Sequence, residues 1–346
     1  MIIDEKYMCR ALQLARLGAG HTSPNPMVGA VIVGPDGNII GEGWHRKCGE
    51  GHAEVNAVAS VKDENLLKDS TIYVTLEPCS HYGKTPPCAR LIIERGIPRV
   101  VVGCLDPFVK VAGRGVEMLR EAGVEVVTGV LEQECRDLNR RFMKAHTTGR
   151  PWVQLKWAQT ADGYIALPPD ADEHPLRMST PVTMRLMHRQ RSLCDAIVVG
   201  ANTARIDNPS LTTRYWPGKS PLRVVLSREL SFPVNLNLLT DGQPTIIYNR
   251  LKKEVNGAVE YVKMDTADPH SWLEDLYRRG VTSVMVEGGA CVLEGLIAAD
   301  AWDEARIEVS PRQVGQGVKA PLIDGRPAAR RIIDGNTIIY LTPRNN

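Results

Sequence analysis

Long apolar runs are absent from this chain of 346 residues. The longest apolar stretches, such as residues 28–33 and 196–199, are strand-sized and far shorter than the ~20 residues that a membrane helix needs. An excess of one charge is also absent, because 42 Lys and Arg residues accompany 40 Asp and Glu residues. We therefore expect neither nucleic acid nor an anionic membrane as a partner. The first residues turn acidic at once and lack the basic and apolar regions of a secretory signal, which predicts a cytoplasmic protein.

Disulfide, repeat and dinucleotide-binding patterns are missing as well. Eight irregularly spaced cysteines are too few for a disulfide scaffold, so we expect reduced thiols, some of them bound to metal. The chain contains no internal repeat, no low-complexity tract and no G-x-G-x-x-G motif, so a Rossmann dinucleotide site is not supported. What is present is an ordinary globular composition, with 43% hydrophobic and 24% charged residues, and a length that suggests about two domains.

Helical and strand patterns alternate in both halves of the chain, which predicts two α/β domains, residues 1–147 and 151–346, joined by a short linker. The first is expected to have a mostly parallel sheet covered by helices on both faces. Its predicted helices begin after Asp4 and cover residues 52–60, 88–95, 116–121 and 132–146, and its strands cover residues 28–33, 39–43, 71–76, 99–104 and 124–127. The second has predicted strands at residues 153–157, 196–200, 222–226, 245–248, 260–262 and 283–286, and helices at residues 181–191, 265–280 and 290–299.

His52 and Glu54 form a His-x-Glu motif at the start of a predicted helix, and Cys79 and Cys88 follow a predicted strand. One imidazole and two thiolates suit Zn²⁺, and three protein ligands leave a fourth position open for water, as in catalytic sites. Glu54 is close enough to His52 to reach such a water, and a carboxylate there can carry its proton to a leaving amine. His-x-Glu followed by Pro-Cys…Cys is the signature of zinc deaminases, in which the glutamate is the acid–base group and not a ligand.

The cysteine spacing differs from that of the common nucleobase deaminases, which have two residues between the cysteines, whereas eight lie between Cys79 and Cys88. Two buried thiols without metal are the alternative interpretation of this pair. The segment itself, Cys-Ser-His-Tyr-Gly-Lys-Thr-Pro-Pro-Cys, resembles the deaminase of riboflavin biosynthesis. His81 within it is interpreted as a loop residue, and the other six cysteines, which lack metal spacing, as structural thiols.

The resemblance to the riboflavin deaminases extends over nearly all of residues 1–150. The motifs that carry it, besides the cysteine segment, are Asn25-Pro26-Met27-Val28-Gly29-Ala30, Gly43-Trp44-His45, Thr75-Leu76-Glu77-Pro78 and Asp106-Pro107. It implies a cytidine-deaminase-like three-layer α/β domain in which Asn25, His45 and Lys84 contact the substrate. A carboxamide suits ribose or base edges, and a lysine suits a 5′-phosphate. The alternative interpretations are a turn residue, a surface histidine and a solvated loop lysine.

Three motifs of the second half are similar to the reductase of the same pathway. They are Leu155-Lys156-Trp157-Ala158 with Asp162-Gly163, residues 200–214 (Gly-Ala-Asn-Thr-Ala-Arg-Ile-Asp-Asn-Pro-Ser-Leu-Thr-Thr-Arg), and Val286-Glu287-Gly288-Gly289. The resemblance is thus to the bifunctional deaminase–reductase family of riboflavin biosynthesis and spans about residues 1–310. For the second half it implies a dihydrofolate-reductase-like α/β domain that uses NADPH. Glycines between a strand and a helix also let a backbone approach a phosphate, although such turns are often glycine-rich for other reasons.

The family motifs imply roles for individual residues of the second half. Those expected to face the cofactor are Ala158, Thr203, Asp207, Gly289, Ala290, Cys291, Val292, Leu293, Glu294 and Gly295. Those expected to contact the substrate are Lys156, Arg191, Leu211, Arg214 and Glu287. The arginines suit a phosphate because of their fixed fork of donors, and Lys156 is a candidate to protonate the ribose carbonyl oxygen. The alternatives are a turn at Asp207, a structural ion pair of Lys156 and a helix-capping role of Arg191.

Residues 164–178 depart from the family pattern, because Arg177 stands where the family has an aromatic residue, and residues from 326 onward match the family poorly. The resemblance implies an enzyme that deaminates 2,5-diamino-6-(5-phosphoribosylamino)pyrimidin-4(3H)-one with zinc and then reduces 5-amino-6-(5-phosphoribosylamino)uracil with NADPH. Analogy with related reductase domains, which pair, further implies a homodimer or larger homo-oligomer. One alternative is a zinc nucleoside, nucleobase or tRNA deaminase with a second domain that does not reduce. Another is a zinc-stabilised binding protein without activity.

Overall fold

The computed structural model divides the chain into two units, Met1–Gly149 and Arg150–Asn346. It describes residues 3–82, 86–107, 113–168, 171 and 176–344. Each unit has its own main sheet and its own hydrophobic core. Within the described part of the chain, no helix combines the length and the apolar character needed to cross a bilayer.

The first unit contains a five-stranded sheet with the strand order β2-β1-β3-β4-β5. Its elements are α1 (Ile3–Ala15), β1 (Gly29–Val33), β2 (Ile39–Trp44), α2 (Ala53–Ala59), β3 (Thr71–Leu76), α3 (Cys88–Glu94), β4 (Arg99–Cys104), α4 (Arg114–Glu121), β5 (Glu125–Thr128), α5 (Glu132–Leu138) and α6 (Arg140–Thr148). The pairs β3–β4 and β4–β5 are parallel, but β1 is antiparallel to both β2 and β3. The prediction of a mostly parallel sheet is therefore wrong for this unit, because two of its four strand pairings, β1–β2 and β1–β3, are antiparallel.

Helices cover both faces of this sheet, as the alternation of its strand residues requires. Ile32 and Val74 pack on one face with residues of α2, α3 and α4. Val31 and Tyr73 pack on the other face with residues of α1, α5 and α6. The predicted three-layer α/β arrangement is confirmed.

The predicted single helix at residues 132–146 is wrong, because the structure divides it into α5 and α6 at Asn139. The Asn139 side chain accepts a hydrogen bond from the Met27 N–H at 2.8 Å and donates one to the Met27 carbonyl at 2.9 Å. This paired contact with a distant backbone segment favours a break in the helix. The amphipathic pattern on either side of Asn139 gives no sign of it, because the contact is tertiary.

Gly43 allows α2 to pack closely on β2. A Cβ atom at Gly43 would lie 2.3 Å from Ala57 N and 2.4 Å from Ala53 O, so no side chain fits there. We expect Gly43→Ala to destabilise the first unit by about 1–3 kcal/mol through overpacking. Urea dependence of amide hydrogen exchange in β1 and β3 measures this unit separately. Gly295→Ala is the control, because an added Cβ there meets nothing within 4 Å. An unchanged unfolding free energy for Gly43→Ala would show that α2 can move away without cost.

The second unit is built on a ten-stranded sheet with the order β11-β12-β10-β9-β8-β13-β6-β14-β17-β16. Its elements are β6 (Trp152–Gln159), β7 (Tyr164–Ala166), α7 (Pro181–Ser192), β8 (Ala196–Gly200), α8 (Ala201–Asp207), β9 (Leu222–Leu226), α9 (Asn237–Thr240), β10 (Thr245–Asn249), β11 (Glu254–Asn256), β12 (Val259–Lys263), α10 (Pro269–Arg278), β13 (Ser283–Val286), α11 (Ala290–Ala298), β14 (Glu304–Val309), β15 (Val318–Lys319), β16 (Arg326–Ile333) and β17 (Asn336–Thr342). The strands from β12 to β14 are parallel, and β11, β17 and β16 extend the edges antiparallel.

Strand β14 is absent from the strands predicted above, although it lies inside this sheet. Its sequence, Glu-Ala-Arg-Ile-Glu-Val, alternates charged and apolar residues, a pattern typical of a solvent-exposed face. In the structure Glu304, Arg306 and Glu308 are all buried. Asn336 donates a hydrogen bond to Glu308 at 2.7 Å, so the polar face of β14 is partly satisfied by protein groups.

Apolar residues on the two faces of the second sheet belong to different cores. Leu155 and Val286 pack with residues of α10 and α11. Ile197 and Val225 pack on the opposite face with residues of α8 and α9. Because the central strands are parallel, their carboxyl ends lie at the same edge of the sheet. Several predicted cofactor and substrate residues follow these ends in the sequence.

Candidate active sites

Three elements bring the predicted metal ligands of the first unit together. His52 is the N-cap residue of α2, Cys79 follows β3, and Cys88 is the first residue of α3. His52 Nδ1 lies 3.6 Å from Cys79 Sγ and 3.4 Å from Cys88 Sγ, and the three ligand atoms lie within 4.8 Å of one another. A tetrahedral Zn²⁺ ion with ordinary bond lengths places nitrogen and sulfur ligands about 3.6 Å apart. The three side chains therefore fit a zinc ion as they stand.

The environment of Cys79 differs from that of an inert buried thiol. Its sulfur accepts a hydrogen bond from the Cys88 backbone N–H at 3.2 Å. A hydrogen bond from the Cys88 side chain, followed by the interaction with His52, holds the pKa of Cys79 below its usual range despite burial. By contrast, burial raises the pKa of Cys104 to about 12. The thiolate is the form that binds metal, so the lowered pKa of Cys79 favours metal binding.

Glu54 lies in the first turn of α2 and is only 3% exposed. Burial, followed by the negative charge of Cys79, raises the pKa of Glu54 to about 7. A carboxyl group whose pKa is near neutrality can both accept and donate a proton, as the predicted acid–base role requires.

Asn25 and His45 lie beside the metal ligands. The His45 ring packs edge-on against that of His52, with 5.4 Å between the centroids. Its Nδ1 is 3.2 Å from the carbonyl of Gly51 and must donate there, because a carbonyl only accepts. The Nε2 atom is then the acceptor for the Asn25 amide at 3.4 Å. His45 is 2% exposed, and burial lowers its pKa, so the interpretation as a surface histidine does not apply. The third predicted substrate residue, Lys84, lies outside the described residues.

In the second unit, Arg191 of α7 and Glu287, which follows β13, form a bidentate ion pair. Arg191 Nε and Nη2 each donate to a Glu287 oxygen at 2.7 Å, and Nη1 donates to the Thr212 carbonyl at 3.0 Å. Each side chain is 8% exposed. Burial alone would raise the pKa of Glu287, but the charge and hydrogen bonds of Arg191 lower it to about 2. Arg191 thus binds both the Glu287 side chain and the backbone of residues 211–214. The alternative interpretation, in which Arg191 only caps its own helix, does not account for these contacts.

Lys156 is a buried residue of β6. Its register partner on β14 is Arg306, so both side chains lie on the same face of the sheet. Burial lowers the pKa of Lys156, and the negative charge of Glu287 opposes this effect most strongly. Lys156 is therefore placed close to the Arg191–Glu287 pair, with a proton that is held less tightly than that of an ordinary lysine.

Two of the residues expected to face the cofactor, Thr203 and Gly289, meet near the ends of β8 and β13. Gly200, the last residue of β8, donates its N–H to the Gly288 carbonyl at 3.1 Å. A Cβ atom at Gly289 would lie 3.1 Å from Thr203 Oγ1, so a glycine leaves room beside this hydroxyl. Gly289 is also the N-cap residue of α11. Free N–H groups at the start of a helix favour an anionic group such as a cofactor phosphate.

Residues 290–295 belong to α11, which matches the helix predicted at residues 290–299. The Leu293 side chain is fully buried in the core, whereas those of Cys291 and Glu294 are exposed. Any cofactor contact of Leu293 must therefore come from its backbone. The remaining members of this set are Ala290, Val292 and Gly295, all partly buried.

The other predicted residues of the second unit differ in exposure. Leu211 has a positive φ of 53° and its side chain lies in the core, so a substrate contact there falls to its backbone. Arg214 is exposed, with its guanidinium 5.9 Å from the centroid of the Tyr215 ring. Asp207 is the exposed last residue of α8, and Ala158 is half-buried in β6.

Ser227 is a further candidate for the cofactor site, and it is not among the residues predicted from the sequence. It follows β9, whose last residue, Leu226, is the register partner of Gly200. The hydroxyl of Ser227 is buried and has no hydrogen-bond partner among the described residues. A buried polar atom without a partner at the carboxyl ends of parallel strands is typical of a ligand site. A single serine in a loop gives no such signal in the sequence.

Fold and sites together define a two-domain enzyme, in which a zinc-deaminase type of site precedes an α/β reductase type of site. The chain matches the family model "Cytidine and deoxycytidylate deaminase zinc-binding region" over residues 1–104 and the model "RibD C-terminal domain" over residues 151–335. The riboflavin biosynthesis protein RibD of Bacillus amyloliquefaciens is 41% identical over 335 residues, which cover 93% of this chain and 88% of that protein. The corresponding protein of Aquifex aeolicus is 39% identical over 323 residues, covering 91% and 89%.

A solved structure is similar to this chain over both units. The diaminohydroxyphosphoribosylaminopyrimidine deaminase/5-amino-6-(5-phosphoribosylamino)uracil reductase of Thermotoga maritima is 37% identical, has a TM-score of 0.87 and covers 99% of both chains. The chain therefore belongs to the RibD family and is an enzyme of riboflavin biosynthesis with a deaminase and a reductase activity. The predicted bifunctional enzyme is confirmed, and the alternative of a non-reducing second domain is not supported.

Proposed function

We propose that residues 1–147 hydrolyse the 2-amino group of 2,5-diamino-6-(5-phosphoribosylamino)pyrimidin-4(3H)-one, and that residues 151–346 reduce the ribosyl group of 5-amino-6-(5-phosphoribosylamino)uracil to ribityl with NADPH. The observation that carries the proposal is the convergence of His52, Cys79 and Cys88 with a buried carboxyl group, Glu54, two residues after the imidazole. The name of the Thermotoga maritima protein supports the same pair of reactions in the same order.

In the deaminase site, His52, Cys79 and Cys88 would hold one Zn²⁺ ion, which polarises the attacking water when bound. Glu54 accepts a proton from this water and returns it to the departing amine, so that ammonia leaves. Both transfers use the same buried carboxyl group, and burial together with the negative charge of Cys79 raises its pKa in the protein without metal. Burial excludes bulk water from the carboxyl group and so favours transfer to the substrate.

Asn25, His45 and Lys84 are proposed to bind the deaminase substrate. His45 Nε2 accepts from one N–H of the Asn25 amide, which leaves the other N–H and the amide oxygen of Asn25 available for base or ribose. Lys84 is proposed to contact the 5′-phosphate as a point charge.

In the reductase site, NADPH supplies the hydride. We propose that it lies along Ala158, Thr203, Asp207, Ser227 and the start of α11, residues 289–295. Lys156 protonates the ribose carbonyl oxygen as the hydride arrives. Arg214 is the exposed arginine suited to the substrate phosphate, and Leu211 contributes through its backbone. Arg191 and Glu287 contact the substrate as a pair, with two of the five N–H groups of the guanidinium not used by Glu287 or Thr212.

The ion pair supplies a prediction for the reductase. We expect Arg191→Lys to lower the reductase kcat/KM by about 10- to 100-fold, because the single nitrogen of a lysine cannot replace the three guanidinium nitrogens that reach both Glu287 oxygens and the Thr212 carbonyl. A hydrogen bond to a charged group contributes about 1.5–3 kcal/mol. Initial rates of NADPH oxidation measure the effect. Arg279→Lys is the matched control, because Arg279 makes a similar two-pronged pair with Glu260 away from this site. Equal rates for both variants would contradict the assignment.

We also propose that the protein is a cytoplasmic homodimer or larger homo-oligomer. The edge strand β16 supports self-association, because Ile332 on it is 76% exposed and strand edges readily pair with other chains. All eight cysteines are free, as expected for a reducing compartment. Light scattering of the purified chain tests the first point, and a monomer at micromolar concentration would exclude it.

The whole proposal is tested by supplying the diaminopyrimidinone phosphate and NADPH to the purified protein and following ammonia and NADPH together. Ammonia release that precedes NADPH oxidation is the expected result. NADPH oxidation that requires no ammonia release would exclude the proposed order. Ammonia release without NADPH oxidation would exclude the proposed reductase substrate or cofactor.

A further inference from the structure

Glu77 is a buried carboxylate that none of the roles above uses. It lies between β3 and the metal ligand Cys79, two residues before the ligand, and it is 4% exposed. Its own N–H donates to the Cys104 carbonyl at 2.9 Å, which continues the pairing of β3 with β4. The side chain then extends away from the strand toward two other segments of the chain.

The Glu77 carboxylate accepts four backbone hydrogen bonds from these segments. One oxygen accepts from the N–H groups of Asp106 at 3.2 Å and Gly113 at 3.0 Å. The other oxygen accepts from those of Gly115 at 2.8 Å and Val116 at 3.3 Å, in the first turn of α4. An anion at this end of a helix is also stabilised by the helix dipole. Glu77 therefore ties the chain just before Cys79 to α4 and to the end of β4.

The fit around this carboxylate is close enough to require a glycine. A Cβ atom at Gly115 would lie 2.0 Å from the Pro78 carbonyl oxygen and 3.2 Å from a Glu77 oxygen. The backbone of α4 thus rests directly on the residue that joins Glu77 to Cys79. This contact leaves Pro78 little freedom to move as long as the four hydrogen bonds persist.

Cys79 is held from its other side as well. The Cys79 carbonyl accepts from the Ala89 N–H at 3.2 Å, and its sulfur accepts from the Cys88 N–H at 3.2 Å. The two cysteines are thereby connected through α3. On the amino side of Cys79, by contrast, the side chain of Glu77 connects the chain to α4 and to the segment after β4.

We propose that Glu77 is a positioning residue that fixes the backbone of Cys79 and so slows the loss of the metal ion from the deaminase site. The proposal rests on the metal site of the proposed function. Groups that orient metal ligands typically change metal affinity by about 10- to 100-fold when mutated. In Glu77→Gln, an NH₂ group replaces one oxygen and faces backbone N–H groups, so two of the four hydrogen bonds are lost. Pro78 and the backbone of Cys79 are then held less firmly on the amino side of the ligand.

The test uses the full chain loaded with zinc and a colorimetric chelator that reports metal release with time. We expect Glu77→Gln to release zinc about 10- to 100-fold faster than the wild type. Amide hydrogen exchange at residues 106, 113, 115 and 116 should become faster in the same variant, while that of β1 stays slow. Glu77→Asp keeps the charge on a shorter side chain and should give an intermediate rate of zinc release. If Glu77→Gln does not fold, Glu77→Asp is compared with the wild type instead.

The matched control is Asp4→Asn, which removes a partly buried carboxylate on the other side of the same sheet. Asp4 accepts hydrogen bonds from Arg99 at 2.9 and 3.1 Å and from Tyr73 at 2.8 Å. If Asp4→Asn accelerates zinc release as much as the Glu77 variants, the effect is one of general stability and the proposal is wrong. Wild-type release rates in the Glu77 variants would overturn it equally. A wild-type chain that binds no zinc would refute the metal site itself, a failure already visible before any variant is compared.

Discussion

Glu54→Gln is expected to reduce ammonia release by about 10²- to 10⁴-fold, the usual contribution of a general acid–base group. The amide has nearly the same size as the carboxyl group, so the packing of this 3%-exposed side chain is retained. It cannot accept a proton from the attacking water or return one to the amine. The pKa of about 7 that burial produces at Glu54 is the property that the substitution removes.

The measurement is the initial rate of ammonia release, together with the zinc content of the purified variant. Zinc content should stay at the wild-type level, because Glu54 is not among the three side chains that fit the ion. Glu50→Gln is the control, since Glu50 is an exposed carboxylate in the loop before His52. Loss of zinc in Glu54→Gln would identify Glu54 as a ligand. Retention of full activity would exclude it as the acid–base group.

Lys156→Met is expected to have the largest effect on the reductase, again about 10²- to 10⁴-fold. Methionine fills a similar volume in the buried site but carries no proton for the ribose carbonyl oxygen. Ammonia release should be unaffected, because Lys156 belongs to the other unit. The deaminated phosphoribosylaminouracil is then expected to accumulate, and its appearance together with constant NADPH absorbance measures the effect. Lys263→Met, on an exposed position of β12, is the matched control.

The pH dependence of the reductase supplies a second measurement on Lys156. A lysine donates a proton only while it is protonated, so the rate must fall as the pH rises through its pKa. Burial lowers this pKa from the ordinary 10.5, with the charges of Arg306 and Arg191 acting in the same direction and those of Glu287 and Glu308 opposing. His188 also faces this region from α7, and burial, followed by the charge of Arg191, lowers its pKa to about 4, so it stays neutral over the relevant range. We therefore expect the rate to begin falling below pH 10.5, and a rate that rises over this range would contradict a proton donor here.

Local motifs were sufficient to predict the chemistry of the deaminase site. His52 and Glu54 are two residues apart at the start of one helix, and Cys79 and Cys88 lie in one short segment, so each part of the site is a recognisable local motif, although the fold must bring His52 to cysteines 27 and 36 positions away. The motif could not show how Cys79 is held. The four hydrogen bonds of Glu77 come from residues 29 to 39 positions away, and no pattern near Glu77 indicates them.

For the reductase site, the sequence predicted which residues take part but not which of them contact one another. Arg191 and Glu287 are 96 positions apart, and their ion pair exists because α7 and the end of β13 meet in the fold. Leu211 illustrates the same limit, because its motif predicts a substrate contact while the fold buries its side chain. Exposure and pairing are properties of the packed chain, and sequence spacing does not contain them.

The sequence by itself predicted the two α/β domains, the family and the three side chains that meet in the candidate metal site, because these depend on hydrophobic periodicity and on recognisable local motifs. Only the tertiary structure decided that β1 pairs antiparallel with β3, that Asn139 divides a helix, and that the charged strand β14 lies inside the second sheet. In each case a contact between distant segments outweighed the local pattern. The hydrogen bonds of Asn139 with Met27 and of Glu308 with Asn336 give polar side chains partners that no neighbouring residue supplies.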